Sequence, residues 1–211
     1  MSANPLPAEP GRVEPPVSGV SHRFTPVLIF VALCWVVFVV NNLLLGGRFN
    51  QHGIIPRHIA GLPGILWAPL LHGSFSHLAA NTFPLLVLGA VLCARSPGEF
   101  AMVAVAGTVL AGSLTWLFAR TAVHIGASSL IFCFFGYLAS LAWFRRTFGT
   151  LIISAGCILV YGGMLRGLVP TSAAISWEGH VAGLLAGIAL AWLSTRLNHA
   201  QKDVATPAPN V

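Results

Sequence analysis

Residues 124–137 read His-Ile-Gly-Ala-Ser-Ser-Leu-Ile-Phe-Cys-Phe-Phe-Gly-Tyr. A polar Gly-Ala-Ser-Ser turn runs straight into an apolar helical segment. Two hydroxyls at a helix start can be caps for orphan N–H groups. They can also be a nucleophile, placed where the helix dipole favours developing negative charge. The choice depends on what the remaining helices bring to the same depth.

Working outward, the whole chain has the character of that segment. It has 211 residues, 56% hydrophobic and 8% charged, with a mean hydropathy of +0.82. A soluble domain of this size needs far more charge on its surface, so the composition predicts an all-α polytopic membrane protein. The basic excess, 11 Lys+Arg against 5 Asp+Glu, reads as membrane anchoring. Without a basic run interleaved with aromatics, no nucleic-acid partner is expected. Cys34, Cys93, Cys133 and Cys157 sit in apolar runs without metal-ligand spacing and read as small buried residues.

Six spans are predicted, at about 26–45, 77–94, 100–118, 126–144, 150–165 and 178–197. Residues 1–24 form a proline-rich tail expected to be disordered, residues 25–198 the membrane domain, and residues 199–211 a polar tail. Pro84 should bend the second span near Ala80. The connection from Gly46 to Leu71 is too short to cross twice and is expected to lie in the interface or dip into the membrane. The fifth span is the weakest, short and glycine-rich (Gly156, Gly162, Gly163). With both termini inside, seven basic residues (Arg12, Arg23, Arg95, Arg145, Arg146, Arg196, Lys202) face the cytoplasm and four (Arg48, Arg57, Arg120, Arg166) face out. That orientation satisfies the positive-inside rule.

Spans two, four and six then share one direction, and their N-terminal ends carry His72, His77 and Asn81, then Ser128, then His180. Each alone has an ordinary reading, such as a serine bonded to its own helical turn or a histidine anchored at the interface. Polar groups converging at one membrane depth point to function. From Ser128 to Phe144 a helix covers about 25 Å, less than the roughly 30 Å hydrocarbon core, so Ser128 lies below the outer surface. Hydrolysis there requires a wet cavity. Ser128, Phe132, Gly136 and Ser140 share a face, and Gly179, Gly183 and Gly187 form a stripe that permits close helix approach. That approach would bring His180 to Ser128, with Phe132 stacked on the imidazole. The few acids (Glu9, Glu14, Glu99, Glu178, Asp203) offer no third triad member, so packing must orient the base. His77 and Asn81, at i and i+4, can both donate to an oxyanion together with the Ser128 N–H. His72, off that face, is expected to secure the loop.

Three motifs in order, His72-Gly-Ser-Phe-Ser-His77-Leu-Ala-Ala-Asn81, Gly126-Ala-Ser128 followed by Gly136-Tyr137, and Gly179-His180-Val-Ala-Gly183-Leu-Leu-Ala-Gly187, resemble the rhomboid intramembrane serine proteases. The resemblance spans roughly residues 60–195. It implies a six-helix bundle with Ser128 as nucleophile, His180 as general base, and His77 and Asn81 as oxyanion donors. It also implies cleavage of single-pass membrane proteins near a helix-destabilised, small-residue site at the outer end of their spans, without metal or cofactor. The compact core without added domains suggests a bacterial inner membrane. Three departures stand out. Ser129 replaces the usual glycine and could crowd the oxyanion site. Phe132 stands where a tyrosine is common. The usual Trp-Arg pair of the first loop is missing, with Trp67 its partial substitute. A silent helix-binding relative is the main rival. A metal channel using His72, His77 and His180 is weaker, since intramembrane carboxylates and any His-Glu-x-x-His are lacking.

Overall fold

The computed structural model describes residues 21–172 and 175–205. Its α-helices are α1 Thr25–Leu44, α2 Gly64–Trp67, α3 Phe75–Arg95, α4 Pro97–Phe118, α5 Ser128–Arg145, α6 Phe148–Tyr161 and α7 Trp177–Ala205. Six helical segments are long and apolar enough to cross a membrane, all but α2. The chain is an integral membrane protein of the expected helical class. Among the described residues no β-strand forms; Ile54 and His124 meet in a single antiparallel bridge.

The helix ends follow local chemistry. Ser74 caps α3 by accepting from the His77 N–H at 3.1 Å, and Ser96 caps α4 by accepting from Gly98 and Glu99. Thr147 and Thr150 form a reciprocal capping box at α6. The α3 helix runs unbroken through Pro84. The weak fifth span is explained by its geometry. After 14 α-helical residues the chain tightens into a seven-residue 3₁₀ segment, Gly162–Leu168. At about 1.5 and 2.0 Å per residue the two together reach ~35 Å, enough to cross. At the C-terminus α7 continues to Ala205, into the segment read as a polar tail, and Ser21–Phe24, read as the end of the disordered tail, form a 3₁₀ turn leading into α1. The expected tails otherwise fall outside the described residues, at 1–20 and 206–211.

Helix α5 is the centre of the bundle, with every residue from Leu130 to Leu138 buried. Its closest partner is α7, because small residues let the backbones touch. A Cβ on Gly183 would strike the Ser129 carbonyl, one on Gly187 the Cys133 carbonyl, and one on Gly136 the Leu184 carbonyl oxygen. In a membrane this close van der Waals fit replaces the hydrophobic drive that packs soluble helices.

The 46–71 connection is a chain of short helical turns, with Gly64, Ala68, Pro69 and Leu71 buried. Its anchor differs from the expectation. Trp67 is 49% exposed. The loop is held instead from α4, where Trp116 Nε1 donates to the His58 carbonyl at 2.9 Å and Arg57 donates to the carbonyls of Leu117 and Ala119. Arg57 thereby satisfies carbonyls left open at the C-terminus of α4.

Candidate active site

Three helix N-termini, those of α3, α5 and α7, open on one cavity of about 680 Å³. It is lined by His77 and Asn81 from α3, Ser128 from α5, and His180 from α7, with Gly167 and His124 on its wall. The three N-termini add positive potential to the space.

Ser128 is the first residue of α5 but does not cap it; the N-cap position is Ala127 and carries no side-chain hydrogen bond. The Ser128 hydroxyl instead meets His180 Nε2 at 2.9 Å. The opposite ring nitrogen, Nδ1, lies 2.8 Å from the Gly167 carbonyl oxygen. A carbonyl can only accept, so Nδ1 carries the proton there and Nε2 faces Ser128 with its lone pair free. Phe132 stacks on the imidazole, with centroids 4.4 Å apart and planes 14° from parallel. The ring is therefore fixed by a backbone carbonyl at one nitrogen and an aromatic face beneath.

Asn81 is buried, and its Nδ2 has no hydrogen-bond partner among the described residues. A buried amide donor without an acceptor is costly, and rare enough to need an explanation. His77 lies one turn earlier on the same face, against Gly126. At Gly126 the backbone takes φ +114°, and a Cβ would lie 2.6 Å from the His77 ring. Only glycine meets both conditions.

His72 lines no part of this cavity. It is 1% exposed, and its Nδ1 faces the Leu70 carbonyl at 3.3 Å. Its Nε2 accepts from the Ala127 N–H at 3.4 Å, joining the first loop to the turn that presents Ser128. Burial pushes the His72 pKa down to about 4, and the nearby His77 ring adds a smaller push in the same direction. Ser129 is not among the residues lining this cavity, and its hydroxyl lies on the Gly179 side of the α5–α7 contact. Its hydroxyl does not crowd the space around Ser128. Gly136, Gly183 and Gly187 lie below, in the α5–α7 contact.

A roof over the cavity was not read from the sequence. Arg120 pairs with Glu178 at 3.2 Å and donates to the Ile175 carbonyl. His124 Nδ1 sits 2.6 Å from the hydroxyl of Ser176, which also accepts from the Gly179 N–H. The turn before α5 is thus tied to the turn before α7. Glu178 was legible as an acid near His180, but its partner on another loop was not. Gly167 left no trace at all, because it acts through its backbone.

The family model described as the Rhomboid domain matches residues 60–197. The chain belongs to the rhomboid family. It is 37% identical over 178 residues to an uncharacterized protein of Mycobacterium tuberculosis, covering 80% of this chain and 74% of that one. An uncharacterized Mycobacterium leprae protein is 34% identical over 197 residues, covering 88% and 78%. In this rhomboid, no group of three or more His, Cys, Asp or Glu among the described residues is placed to hold a metal ion.

Proposed function

We propose that this rhomboid is a serine endopeptidase that cuts single-pass membrane proteins in or near their transmembrane segments. The observation that carries the reading is the 2.9 Å approach of Ser128 Oγ to an imidazole nitrogen whose opposite face is held by a carbonyl. In the proposed mechanism Ser128 Oγ attacks the scissile carbonyl carbon and its proton passes to His180 Nε2. The carbonyl oxygen becomes an oxyanion that accepts from Asn81 Nδ2, the His77 ring and the Ser128 N–H. The intermediate collapses, the C–N bond breaks, and His180 returns the proton to the leaving amine. A water then attacks the acyl-enzyme with His180 again as base, restoring Ser128. The Asn81 donor, left without a protein acceptor among the described residues, supports this reading, since a transient oxyanion would supply one. In keeping with the arginine distribution, both termini are proposed to lie in the cytoplasm of a bacterium, with the cavity facing outward across the inner membrane.

The test is cleavage of a fluorescent single-pass helix, with a small residue near its outer end, by purified protein in liposomes. Wild type and Ser129→Ala should cut; Ser128→Ala and His180→Ala should lose at least about a thousandfold in rate. A folded wild type that cuts no member of a panel of such helices would favour the silent helix-binding alternative.

A further inference from the structure

A second cavity, of about 810 Å³, lies at the opposite end of the bundle between the last turn of α5 and the C-terminal part of α7. Its walls include Arg145, Arg146 and Arg196 together with Trp143 and Trp192. Arg145 is already neutralised in part, pairing with Glu99 at 3.0 Å; Glu99 also takes Arg95 at 2.9 Å. Arg146 and Arg196 form no ion pair with any described side chain. Arg146, held at φ 51° just past the end of α5, donates among the described residues only to the Trp143 carbonyl. Arg196 lies over the Trp192 ring, 5.9 Å from its centre. The carbonyl end of α5 repels anions, so the guanidiniums supply whatever attraction the pocket has.

Continuing along α7 from Arg196 toward the bundle centre, Trp192, Ile188 and Leu185 follow at helical spacing on one face, and all three are exposed. A cationic head, an aromatic collar and an apolar track form one line, in the order in which an amphiphile presents phosphate, glycerol and acyl chain. A free phosphate would need the head alone. We propose that this pocket binds an anionic phospholipid, its phosphate between Arg146 and Arg196 and an acyl chain along Trp192, Ile188 and Leu185. The lipid would brace, at their far ends, the two helices that carry Ser128 and His180.

Native mass spectrometry of the full chain in detergent tests this, with phosphatidylglycerol, phosphatidylcholine and glycerol 3-phosphate as probes. Phosphatidylglycerol should bind about twenty-fivefold more tightly than phosphatidylcholine. That preference should weaken about fivefold for each arginine removed in Arg146→Gln and Arg196→Gln, while Arg48→Gln at the other end leaves it intact. Both pocket arginines are exposed, so the variants should melt as wild type does without lipid. Should they misfold, wild type alone decides, because its preference should fade between low and high salt. Equal binding of the two lipids, or a preference that survives both substitutions or high salt, would overturn the proposal. Glycerol 3-phosphate binding as tightly as phosphatidylglycerol would overturn it too, in favour of a free-anion site.

Discussion

Asn81 is the residue at which structure and proposed chemistry are most tightly joined. Its buried amide has no partner to lose, so Asn81→Ala should leave the melting temperature nearly unchanged. The same change should lower kcat by about a hundredfold or more, measured on the single-pass substrate. A large loss of stability with unchanged kcat would remove Asn81 from the site. His72 behaves in the opposite way. Its folded pKa of about 4 lies below the ordinary 6.5, so the unfolded chain binds more protons between those values. Stability from the neutral ring is fully present above pH 6.5 and is lost as pH falls toward 4. At 1.36 kcal/mol per pKa unit the loss is ~3 kcal/mol. Melting curves over that range should show it, and His72→Gln should flatten the dependence while lowering stability at neutral pH.

At the scale of helices, close approach separates glycines that look alike in sequence. Gly183 and Gly187 face carbonyls of α5, whereas Gly156 and Gly163 face open space. Gly183→Val should push α7 away and move His180 out of reach of Ser128, costing about 1–3 kcal/mol and nearly all activity. Gly156→Ala in α6 should be neutral, or stabilising by about 0.5–1 kcal/mol. Melting temperature and cleavage rate of the two variants, measured together, check the contrast. The sequence made the α7 stripe legible because its spacing is helical, and it made the six spans legible because length and hydropathy suffice for a helix in lipid. It left the 46–71 loop obscure, since turns held by Arg57, Trp116 and backbone carbonyls have no periodicity. The pairing of Arg120 with Glu178 was hidden for a related reason: two loops far apart in the chain meet only once the helices are packed.

For the molecule as a whole, charge is concentrated at the two ends and is sparse between them. Glu99 accepts Arg95, Arg145 and the Tyr137 hydroxyl, joining α3, α4 and α5 at one end. Glu99→Gln leaves two guanidiniums without a counter-charge in a half-buried place and should cost about 3–5 kcal/mol, seen as a lower melting temperature. The proposed orientation has its own check. All four native cysteines are buried, so a single new cysteine dominates labelling. Arg57→Cys should react with a membrane-impermeant thiol reagent added outside intact cells, and Arg146→Cys should not. The reverse pattern would invert the topology.

The carbonyl of Gly167 gives the site an unusual kind of durability. A carboxylate in its place could be deleted by one substitution or silenced by a proton, whereas a main-chain oxygen has no side chain to delete and no charge to titrate, although a Cβ on Gly167 itself would come within 3.0 Å of His180 Nδ1. What it cannot survive is relocation. A search for inactive variants should therefore recover, beside Ser128 and His180, proline substitutions within Gly162–Leu168 that redirect the path of the chain while leaving every reactive group in the protein intact.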